Sequence, residues 1–110
     1  MFVAMRLSSP APGSSGAAGL RAQGITLTFE REPVTAQVFA HIWIDDGSIL
    51  GKARWLREHI PRGTWVSVPP SMQPAGSWWL QRHVGFVLVT RRLVDGEMND
   101  ILWRPTTWAR

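Results

Sequence analysis

The sequence predicts an α+β domain: a curved antiparallel sheet, or partly open barrel, of about five strands with one helix packed on it over about 49–59. Three observations carry that reading. Apolar residues alternate strictly through "ITLTFER" and "VTAQVFAHIWI", the period of two that marks strands with unlike faces. Ile49, Leu50, Ala53, Leu56 and Ile60 then recur at helical spacing, with Lys52, Arg54, Arg57 and Glu58 between them, as on an amphipathic helix. Asp95-Gly96 sits between two apolar runs, the strongest short-range hairpin signal.

Order is expected from Ile25 onward. In "ITLTFER", Ile25, Leu27 and Phe29 face one way and Thr26, Thr28 and Glu30 the other, a half-buried strand. Glu32-Pro33 turns the chain, because proline has no N–H to give a ladder. The next strand, 34–44, puts Val34, Ala36, Val38, Ala40, Ile42 and Ile44 on one unbroken apolar face. Its other face carries Thr35, Gln37, Phe39, His41 and Trp43, too aromatic for plain solvent and too polar for a plain core. "DDGS" (45–48) ends this strand, and Asp46 or Ser48 stands where a cap would satisfy the first free N–H groups of the helix. Pro61 and Gly63 stop the helix.

"TWVSVPP" (64–70) reads as a short strand closed by prolines, and "SMQPAGS" as a loop. From Trp78 the chain reads as extended, with Val84–Val89 as a central strand buried on both faces. A two-residue loop at Asp95-Gly96 pairs Val94 with Glu97, Arg91 with Asp100 and Leu88 with Trp103. Arg104-Pro105 closes the last strand, leaving "TTWAR" as a tail with Trp108 available to dock. The element order is β-β-α-β-β-β with every strand joinable antiparallel.

Residues 1–23 are Ser/Gly/Ala/Pro-rich and acid-free, so they bury too little to offset their ordering entropy. They are expected as a flexible leader ahead of a single domain, 24–110. Their composition resembles an organelle transit segment, whereas "MFVAM" is too short for the apolar part of a secretory signal. No stretch approaches the ~18 apolar residues of a membrane span.

Cysteine is absent, which excludes disulfides, thiolate metal sites and cysteine nucleophiles and fits a reducing, cytoplasmic setting. The sequence pI near 11.4 overstates the basicity. With no Cys, no Tyr and a single Lys, almost nothing releases a proton between neutral pH and the arginine range. The relevant charge is +4, a mild preference for anionic partners. No phosphate-binding glycine loop, nucleophile elbow or zinc-protease helix is present. The histidines, at 41, 59 and 83, lack metal-ligand spacing, so neither metal nor cofactor is expected.

Seven tryptophans in 110 residues are more than one small core layer hides easily, at about 150–250 Å² of burial for each aromatic. His41 and Trp43 share one strand face. Trp79, Gln81 and His83 share another if 78 onward is extended, and Trp78 and Leu80 then fill the core. Convergence of these five would make an aromatic wall with a few polar groups, the composition of ligand pockets and interfaces. The expected function is therefore a non-catalytic binding module for a small apolar or cationic ligand or a protein partner, assembled as a homo-oligomer. The competing assignment makes the same side chains ordinary core. A second function class is a weak single-stranded nucleic-acid binder, with Arg54, Arg57, Arg82, Arg91 and Arg92 meeting phosphates and Trp stacking on bases. A third is a small enzyme using His41, with Asp45 or Asp46, and His83 for acid–base chemistry.

Overall fold

The computed structural model describes residues 5–7, 15–44 and 51–106. In chain order the elements are β1 (Met5–Arg6), β2 (Ser15–Ala22), β3 (Ile25–Arg31), β4 (Val38–Ile44), α1 (Lys52–His59) and β5 (Trp65–Val68). A 3₁₀ turn (Pro70–Met72), α2 (Ala75–Trp79) running on into a π-helical turn (Leu80–Val84), β6 (Val87–Val94) and β7 (Glu97–Trp103) complete it. The α+β class holds: an open sheet in the order β2-β3-β4-β5-β7-β6, with the two-residue β1 also paired to β4, and helices packed on it.

The sheet is mixed rather than antiparallel throughout. β4 and β5 run parallel, with Phe39 beside Trp65, and every other neighbouring pair is antiparallel. α1 is the reason, since a helical crossover returns the chain to the end where β4 began.

Alternation sorts the side chains. Ile25 and Leu27 of β3, Ala40, Ile42 and Ile44 of β4, Val66 and Val68 of β5 and Leu102 of β7 are buried on one face. The helices seal that face with Trp55, Leu56 and Ile60 from the α1 region and Trp79, Leu80, Val84 and Phe86 from the second helical segment. Leu7 joins the same cluster. α1 ends where Arg104 reaches it: the Arg104 Nη1 donates to the carbonyls of Arg57 and Ile60. A cation at the negative end of the helix satisfies acceptors that no further turn is there to meet.

Further sequence expectations need correction. The leader is not wholly outside the fold, because residues 15–22 pair with β3 along its length and Leu7 is core. Backbone hydrogen bonding supplies there what side-chain hydrophobicity lacks. The strand expected from Val34 begins at Val38. Before it, Glu32 organises a turn in which Val34 is exposed and Ala36 takes a positive φ of 61°. The region 75–84, expected as loop and then strand, is helical. Val84–Val89 is no central strand either: β6 starts at Val87, lies at the sheet edge and is exposed along nearly its whole length.

The hairpin was legible. Asp95 and Gly96 carry φ of 51° and 82°, the left-handed pair of a type I′ turn. Val94 meets Glu97 and Arg91 meets Asp100 as expected. Trp103, however, opposes Val87 rather than Leu88, since a bulge between Leu88 and Thr90 shifts the register by one. The proposed caps Asp46 and Ser48, and Trp108, lie outside the described residues.

Candidate functional site

The face of the sheet turned away from the helices is chemically distinct. Cross-strand pairing sets Thr26 opposite Trp43, Thr28 opposite His41 and Glu30 opposite Phe39. Directly opposed residues share a face, so hydroxyls and a carboxylate from β3 stand beside rings from β4. The aromatic row continues across the sheet. Phe39 lies 6.4 Å from Trp65, and Trp65 lies 5.9 Å from its cross-strand partner Trp103, each pair tilted. Such offset arrangements suit the ring quadrupoles. Phe39, Ser67, Asn99 and Ile101 are buried on this face, and the Asn99 Nδ2 donates to the Ser67 Oγ at 2.8 Å.

One end of the row is open. Trp43 is 40% exposed and, with Thr26, Thr28, His41 and Ile42, lines a depression of about 150 Å³. His41 is buried, its Nε2 3.2 Å from the Oε1 of Glu30. The site thus offers an indole, two threonine hydroxyls and an imidazole, with the Glu30 carboxylate behind that imidazole rather than in the lining. Its volume is well under the ~300–1,000 Å³ of pockets that enclose a drug-sized ligand. It is nearer the ~150 Å³ cavity that holds a single benzene ring.

Of the five residues expected to converge, the structure brings two together. His41 and Trp43 meet at this depression. Trp79, Gln81 and His83 belong to the helical layer on the opposite face. The paired indoles are also the reverse of the expectation: Trp79 is 6% exposed and part of the core, while Trp78 is 58% exposed. On a helix, neighbours diverge by about a quarter-turn rather than a half, so the inward indole is chosen by how the helix lies on the sheet. Gln81 donates its Nε2 to the Ser77 carbonyl. His83 stands edge-on to Trp78 at 5.7 Å and tilted to Trp79 at 6.2 Å, and its carbonyl accepts a 2.6 Å bond from the Arg57 Nη1.

Thr26, Thr28 and Glu30 were not singled out by sequence reasoning, although alternation in "ITLTFER" had already put them on one face. The missing piece was register. The arginines proposed for phosphates are mostly engaged: Arg54 pairs with Glu58, Arg57 with the His83 carbonyl and Arg91 with buried Asp100. Arg82 and Arg92 are exposed. His41 and His83 sit in different layers, and Asp45 and Asp46 lie outside the described residues. Comparison of the chain with protein-family models, curated proteins and solved structures finds no match.

Proposed function

We propose that this chain is a non-catalytic binding module whose site is the Trp43 depression. The observation that carries the reading is an indole held partly open beside a buried His41 that faces the half-buried Glu30, in a hollow of about 150 Å³. That volume suits one ring or a compact quaternary ammonium, as a free small molecule or as a side chain projected by a protein partner. The Trp43 face supplies dispersion and quadrupole attraction to such a group, and the threonine hydroxyls orient any polar substituent. The reading sets the chain in the cytoplasm and leaves self-association to other surfaces.

Indole and tetramethylammonium are the probes. Titrating each against ¹⁵N-labelled protein should move the Trp43 indole N–H and the amides of Thr26 and Thr28. Trp43→Ala should abolish the effect while leaving the unfolding midpoint nearly unchanged. Shifts confined to Trp78 and His83, or none from either probe, would overturn the assignment.

A further inference from the structure

β6 is the most apolar exposed stretch among the described residues. Val87, Leu88, Val89 and Leu93 are exposed along it, and Met98, which opposes Leu93, is exposed beside them. Its outer side has no strand partner among the described residues, so a row of main-chain donors and acceptors faces outward, a template for another strand. The side chains add a sign. The charged residues of β6 are Arg91 and Arg92, near the strand's middle. Arg91 is tied to Asp100 at 2.8 Å. Arg92 is in no ion pair among the described residues, while its field contributes to lowering the Glu32 pKa.

We infer that the β6 edge is a docking site for an extended acidic–apolar segment of a protein partner, added as a further strand. Main-chain bonds supply affinity in such augmentation, and alternate side chains supply choice. Leu88 and Leu93 offer apolar contact, and Arg92 meets a carboxylate. A second copy of this chain is the poorer occupant. Antiparallel self-pairing lays strand middle on strand middle and so brings the arginines of both copies together, and opposed like charges destabilise a strand pair. The inference goes beyond the Trp43 site and is independent of it, since β6 and that depression occupy different parts of the sheet.

The test uses the full chain and a fluorescein-labelled peptide of alternating glutamate and valine, read by polarisation and by β6 amide shifts. The acidic peptide should bind and weaken as salt rises, and Arg92→Glu should weaken it by about tenfold or more, as removal of an attractive interfacial charge does. Arg92 is exposed, so an unchanged unfolding midpoint verifies the fold, and Arg92→Ala should give an intermediate loss. A lysine–valine peptide should not bind, and Trp43→Ala should leave acidic-peptide binding intact. No binding, equal binding of both peptides, indifference to Arg92→Glu, or competition by a single-stranded oligonucleotide in place of the acidic peptide would overturn the inference. So would a dimer of the unsubstituted chain in sedimentation that protects the β6 amides from exchange.

Discussion

The two faces of this sheet are built from the same strands yet differ in what they can do. Under the helices, Ile, Leu and Val from four strands meet Trp55, Leu56, Trp79 and Val84, and nearly every contact is dispersion between close-packed atoms. On the other face, Thr26, Thr28, Glu30, His41 and Trp43 mix hydroxyl, carboxylate, imidazole and indole. A sealed apolar face is specified by volume and tolerates little change. A half-open mixed face is specified by register and can change partner without changing the fold. Trp residues occur on both, so residue type alone does not assign a role.

The largest expected effect tests that contrast directly. Trp79→Ala removes a ring from the helix-covered core and should lower stability by ~3–5 kcal/mol in urea unfolding. Trp43→Ala removes the same ring from a partly solvated site and should cost under ~1 kcal/mol, and Trp78→Ala, more exposed still, should fall within ~0.5 kcal/mol. Comparable losses for Trp79 and Trp43 would erase the distinction between the faces.

How much of this was legible in sequence follows from which signals are local. β3 and β4 could be read because alternation over seven residues has one solution, and the 95–96 hairpin because its turn chemistry is specific. The region 75–84 could not. Its buried residues Gly76, Ser77, Trp79, Leu80 and Val84 are helically spaced, but Gly76 and Ser77 bring no apolar side chain and the exposed Trp78 stands among them, so no apolar stripe of period 3.6 shows in the sequence. The usable signal was punctuation: Pro74 just before the helix and Gly85 just after it. Gly85 takes φ of 90°, a left-handed stop that only glycine adopts without strain. Of the site, the shared face of His41 and Trp43 was readable. Its threonines and Glu30 required the β3–β4 register, and the exclusion of Trp79, Gln81 and His83 required knowing that their segment is a helix.

A smaller effect probes how the covered face tolerates a charge. Arg104 is buried, its Nη1 donates to the Arg57 and Ile60 carbonyls, and its Nε has no hydrogen-bond partner among the described residues. Its pKa is lowered by burial first, then by Arg62 and Arg57, so the carbonyls and the helix end hold a cation that its surroundings disfavour. Arg104→Ala strands both acceptors and should cost ~1–3 kcal/mol. The loss should appear as faster amide exchange in the last turn of α1, with β3 and β4 amides less affected. Uniform acceleration across the domain would mean that Arg104 supports the whole core rather than one helix end.

The smallest effect lies at the rim that joins the two faces, in the turn between β3 and β4. The Glu32 carboxylate accepts from the Thr35 hydroxyl, from the Val34 amide at 3.0 Å and from the Thr35 amide at 2.8 Å. These bonds favour the ionised form, the Thr35 side chain most, and hold its pKa below the usual 4.5. The sign follows from linkage: a group whose pKa is depressed by folding adds stability above its unfolded pKa, and that stability is lost as pH falls through the folded pKa. These bonds lie at the protein surface, so the consequence is local ordering rather than a change in global unfolding. The Val34 and Thr35 amide signals should move on acidification with a midpoint below 4.5, tracking Glu32. In Glu32→Gln they should sit at shifted positions throughout and show no such step. Glu30 of the adjoining β3 lies against His41, so its substitution is the control. A Glu30→Gln variant should leave the Val34 and Thr35 transition in place, and its loss in that variant would show the turn and the Trp43 site to be one coupled unit.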